Sequence, residues 1–65
     1  MIKHFESRYA AIKELEGLGF EQWKSWVWQK RPFTASIHII ERTEMVMVAI
    51  SRKDGLPVLN YEMKL

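Results

Sequence analysis

The sequence predicts an α+β fold, a two-layer sandwich in which one N-terminal amphipathic helix packs on a three- or four-stranded antiparallel meander sheet. Three observations lead there. Apolar residues recur at spacings of three and four through the first eighteen positions, strand-forming segments fill the second half, and Pro and Gly fall between the segments. An amphipathic helix followed by a one-sided meander buries both apolar surfaces by laying the helix across one sheet face.

The helical stripe is Ile2, Phe5, Tyr9, Ile12, Leu15 and Leu18. Ala10, Ala11, Lys13, Glu14 and Glu16 are good helix formers, and Gly17 offers a left-handed stop. The expected helix runs from about Lys3 or His4 to Glu16. Ser7 provides a second start as an N-cap, with Ile2 to Glu6 then a short strand.

Trp23 to Lys30 reads as the first strand, with Trp26 and Trp28 on one pleated face and Trp23 out of phase. Phe20, Trp23 and Val27 also share a helical face, so a short second helix before Pro32 is the competing reading. Phe33 to Glu41 and Glu44 to Lys53 are rich in Ile, Val, Thr and Met and read as a hairpin linked around Arg42 and Thr43. Asp54-Gly55 marks a tight turn, and a last alternating strand is expected from about Pro57 to Lys64.

The chain has 65 residues, enough for a single domain over 1–65 and too few for two cores. With 48% hydrophobic and 28% charged residues it has the composition of a folding chain rather than a disordered one. It contains no cysteine, which removes disulfides, thiolate metal sites and thiol nucleophiles and points to a reducing compartment. No apolar run approaches the roughly 20 residues of a membrane span. The first ten residues are broken by Lys3, His4, Glu6 and Arg8, unlike a secretory leader. A cytoplasmic address without membrane contact is expected.

Few residues stand in a pattern that carries chemistry. There is no metal-ligand spacing, nucleophile elbow or phosphate-binding glycine loop, so no cofactor and no metal are expected and the chain reads as a non-enzyme. The net charge of +2 is too small for a global nucleic-acid footprint, leaving only local charge to consider.

The most unusual segment is Trp23-Lys24-Ser25-Trp26-Val27-Trp28-Gln29-Lys30-Arg31, three tryptophans and three cations with no acid among them. Indoles fill small cores, and alternation sends Trp23 away from Trp26 and Trp28, so at least one is expected outside the core. Trp23, Trp26, Trp28, Lys24, Lys30 and Arg31 form the expected partner-binding set, since Trp and Arg are the usual anchors of interfaces. Glu14, Glu16 and Glu21 nearby form an acidic edge that weakens a phosphate field.

Met45 to Ile50 is apolar on both alternating faces, which predicts that the second sheet face is covered too. Met45 and Met47 are the expected dimer or partner face, and a homodimer through the open face or an edge strand is the expected assembly. In type, the chain compares with small accessory or inhibitor proteins of bacteriophages and other mobile elements, binding a protein partner. An RNA- or DNA-binding module using the same aromatic and basic segment is the alternative.

A third reading rests on His38, which follows Ser36 and Ile37 in a strand. The order of elements is similar to that of HicA-type toxins, small mRNA-cleaving proteins with a histidine early in the sheet. That resemblance implies a toxin-like ribonuclease with His38 as its base. The family's Gly-Ser/Thr-His run is replaced here by Ser36-Ile37-His38, and no second helix is expected after Tyr61.

Overall fold

In the computed structural model, which describes residues 1–58, one helix packs on a five-stranded antiparallel sheet. The elements are β1 (Ile2–Phe5), α1 (Arg8–Gly17), β2 (Glu21–Lys24), β3 (Val27–Lys30), β4 (Phe33–Ile39) and β5 (Val46–Arg52). Their order across the sheet is β1-β5-β4-β3-β2. The two-layer α+β architecture is as expected, with five strands instead of three or four.

The first additional strand comes from the chain start. The helix begins at Arg8 because Ser7 takes an extended conformation and its hydroxyl accepts a hydrogen bond from the Ala10 N–H at 3.1 Å. Residues before the cap are then free to pair, and Ile2–Phe5 joins the edge of β5 in the register Ile2↔Ala49 to Phe5↔Val46. The Met1 amino group and carbonyl extend that ladder through Ile50. The spacing of Ile2 and Phe5 therefore comes from a strand and not from the helix.

The second additional strand comes from a break in the tryptophan segment. Trp23 to Lys30 is two strands joined at Ser25-Trp26, with a bulge between Gln22 and Lys24. Neither a single strand nor a short helix forms there. Arg31-Pro32, with a cis peptide bond, turns the chain into β4.

At its other end the helix closes on Gly19 and not on Gly17. Gly19 has φ +94°, its N–H bonds the Glu16 carbonyl, and the Phe20 N–H reaches back to the Leu15 carbonyl. This is a Schellman closure, and Leu15 and Phe20 both sit in the core as its usual apolar pair.

The core lies between α1 and one sheet face. Ala11 and Leu15 come from the helix, Trp28 from β3, Phe33, Ala35 and Ile37 from β4, and Val46, Val48 and Ile50 from β5. These strand residues are every second position, so the alternate set necessarily points the other way. Each fully buried side chain among the described residues is apolar.

Gly55 has φ +79° in the expected Asp54-Gly55 turn, where Gly accepts a left-handed conformation at little cost. The expected strand from Pro57 to Lys64 lies outside the described residues beyond Val58. Among the described residues no helix is long and apolar enough to cross a membrane.

Candidate functional site

The register divides the tryptophan segment between two surfaces. Trp28 faces Ala35 beneath the helix and is 2% exposed. It is a core residue and offers no contact surface, which removes it from the expected partner-binding set. Trp26 lies at the rim on the same side, 43% exposed, with the Arg8 guanidinium 4.9 Å from its ring centre. Arg8 also donates to the Ser25 carbonyl at 3.0 Å and so ties the helix start to the β2–β3 turn.

Trp23 is 58% exposed on edge strand β2, with the Lys24 ammonium 4.5 Å from its ring centre. It lines an open groove of about 450 Å³ with Gln22, Gln29, Lys30 and Arg31. A second groove of about 470 Å³ adjoins it, sharing Gln29 and Arg31 and adding Thr34 and Lys53. Lys30 is partly committed to the fold, since its ammonium donates to the Leu18 carbonyl at the helix C-terminus at 2.6 Å. Arg31 and Lys53 supply the remaining positive charge lining the two grooves, with Lys24 beside Trp23, and Glu21 is the one acid among the described lining residues.

Between these rims lies the sheet face away from the helix. Following the register, Ile2, Ala49, Ser36 and Val27 form one cross-strand row, with Lys24 at its end. Ser51, Thr34, Gln29 and Glu21 form the row on one side, and His4, Met47 and His38 the row on the other. The middle of this face carries no charge. Met47 is half-buried among these neighbours, whereas Met45, in the loop before β5, is 40% exposed.

His4, Val27, Thr34 and Ala49 were absent from the expected surface. Alternation assigns each to a face, but only the pairing of strands far apart in sequence shows which residues become neighbours. Lys53 and Arg8 were missed for the same reason. His38 is exposed, and its Nε2 lies 2.9 Å from the Ser36 hydroxyl.

One carboxylate is electrostatically distinctive. The Arg52 guanidinium binds both oxygens of Asp54, and with help from the Leu56 N–H it holds that carboxyl below its ordinary range. The pair links the last residue of β5 to the turn that follows and braces it.

Comparison of the chain with protein families, curated proteins and solved structures finds no match. Its function is therefore read from its own surface.

Proposed function

We propose that this chain is a small non-enzymatic binding protein that docks a partner protein on its outer sheet face. One observation carries the reading. The centre of that face is uncharged, built from Met47, Ala49, Thr34, Ser36 and Val27 with Ile2 beside them on the edge strand, while Trp23, Lys24 and Arg31 stand at its border. Protein interfaces have this anatomy, with charges depleted at the centre and Trp and Arg supplying much of the binding energy. The basic border selects a partner whose apolar patch is edged with acids. Such a surface suits a small accessory or inhibitor protein.

A second copy of the chain is the competing occupant. Pairing through the edges is disfavoured, because β1 and β2 are each four residues long, each carries a lysine, and β2 is bulged. That leaves the face around Met47 as the homodimer surface.

The test uses immobilised full-length chain and its variants. A single partner retained by the wild type and by the helix-side variant Glu16→Ala, and lost from Met47→Glu and Trp23→Ala, supports the reading. Retention indifferent to both outer-face substitutions overturns it. Sedimentation as a dimer that Met47→Glu converts to a monomer assigns the face to a second copy instead.

The adjoining grooves favour a second reading, single-stranded nucleic acid. Trp23 offers a stacking platform, Gln22 and Gln29 offer amide groups, and Arg31 and Lys53 offer cations for phosphates. It ranks below protein binding because Trp28 is sealed in the core and Lys30 is bonded to the helix end. Binding to an oligonucleotide that falls steeply with salt and disappears in Trp23→Ala/Arg31→Ala supports it. No binding at low salt excludes it.

A further inference from the structure

Met47 is the register partner of two histidines at once. On one side it faces His4 of β1, and on the other it faces His38 of β4. Residues directly opposed in antiparallel strands share a face. Three side chains from three adjacent strands therefore emerge in one line on the outer face, with a thioether between two imidazoles. Opposed Cβ atoms lie about 4.5–5.5 Å apart, which places the two histidine Cβ atoms about 10 Å apart across the methionine. Both histidines are exposed and Met47 is half-buried.

We propose that His4, Met47 and His38 form a binding site for a soft monovalent metal ion, copper(I). The donor set decides the ion. Thioether sulfur selects copper(I) over harder divalent ions, and imidazole binds copper well, whereas calcium, magnesium and manganese seek carboxylate and carbonyl oxygens. None of the three residues is an acid, and no cluster of three His, Cys, Asp or Glu side chains exists among the described residues. A structural zinc site has no donor set here, because such sites use four Cys, His or carboxylate ligands.

Ser36 adds a supporting contact. It lies two residues before His38 on the same face of β4, and its hydroxyl is 2.9 Å from His38 Nε2. In the tautomer with the proton on Nε2, the ring donates to Ser36 and Nδ1 keeps its lone pair. Metal-binding histidines are commonly held in this way, with the second ring nitrogen bonded to a neighbour. The site is independent of the docking reading, although an ion bound there lies on the face proposed to meet the partner.

The experiment is an anaerobic titration of the full chain with copper(I) against a chromogenic copper(I) chelator, paired with ¹³C-methyl NMR of the methionines during silver(I) addition. One ion per chain is expected, with the Met47 methyl resonance shifting on silver binding. His4→Ala/His38→Ala and Met47→Leu are each expected to lower copper(I) affinity at least tenfold. All three positions lie on the outer face, and Met47→Leu nearly conserves volume, so circular dichroism is expected to show a retained fold. Affinity unchanged in Met47→Leu means an ion held without the thioether and overturns the proposal. Equal binding by wild type and the double histidine variant means an adventitious ion only, and overturns it as well.

Discussion

Trp28 and Ala35 stand directly opposite one another in the β3–β4 ladder, 2% and 0% exposed, beneath the helix. The pair meets a volume constraint. An indole can lie between helix and sheet only where the neighbouring strand position is small, and Ala35 is the smallest side chain on the inner face of β4. Trp28→Ala is expected to cost about 3–5 kcal/mol. For a chain of 65 residues the whole folding free energy is only about 3–10 kcal/mol, so this variant unfolds or nearly does. Ala35→Val overfills the same space and costs about 1–3 kcal/mol. Urea unfolding followed by far-UV circular dichroism measures both, and wild-type stability in either variant contradicts the packing described.

Arg8 presents a conflict that its contacts resolve. A cation in the first turn faces the positive end of the helix dipole, a cost of about 0.3–1 kcal/mol. Against that cost stand the Trp26 ring, whose centre is 4.9 Å from the guanidinium, the Trp28 ring, whose centre is 5.7 Å away, and the hydrogen bond to the Ser25 carbonyl. A surface cation–π contact contributes about 0.5–1 kcal/mol, and a hydrogen bond from a charged group about 1.5–3 kcal/mol where it is shielded and less at an exposed site such as this one. The contacts win by a small margin. Arg8→Ala is expected to destabilise by about 1 kcal/mol and to increase acrylamide quenching of Trp26. Lys at this position keeps the dipole cost and loses the planar stack, so Arg8→Lys is expected to be no better than Arg8→Ala.

Local pattern made the layers legible, and nonlocal pairing hid much of the rest. The two long strands and the Asp54-Gly55 turn follow from alternation and from residues suited to positive φ. Ile2 and Phe5 fit a helical stripe and a strand equally well over so short a stretch. What decides between them is β5, more than forty positions away. The Ser25-Trp26 turn contains no Gly, Pro, Asn or Asp, and Ser25 alone is a weak signal of a reversal. Trp26 and Trp28 do share a face, as alternation predicts, but which of the two is sealed depends on where the helix crosses the sheet. The row His4, Met47 and His38 is invisible to any reading along the chain, since it exists only once β1, β5 and β4 are in register.

Ser7 is the residue on which the first strand and the helix both depend. Its extended backbone ends β1 territory, and its hydroxyl satisfies the Ala10 N–H, one of the donors a helix start leaves without a partner. Ser7→Ala is expected to cost about 1 kcal/mol, and Ser7→Asp to keep the cap and add favourable charge at the dipole's positive end. Chemical denaturation of the two variants should place them in that order. A Ser7→Asp protein less stable than Ser7→Ala contradicts the cap.

The Asp54 carboxyl provides a pH test that leaves the core untouched. Hydrogen bonds from the Arg52 guanidinium come first in holding its pKa below the ordinary value of 3.8, and the Leu56 N–H reinforces them. A carboxylate whose folded-state pKa is depressed contributes stability that is fully present above the unfolded-state value. That contribution declines as the pH falls below about 3.9 and is lost once the pH passes the folded-state value. The carboxyl is exposed, so the effect on global stability is small and the sensitive measurement is the side chain's own titration. A carboxyl-carbon NMR titration is expected to place the Asp54 midpoint below that of an unfolded-peptide aspartate and to raise it toward the ordinary value in Arg52→Gln. A midpoint that does not move in Arg52→Gln means that the guanidinium is not what stabilises the charged form, and the turn after β5 is then braced by the backbone alone.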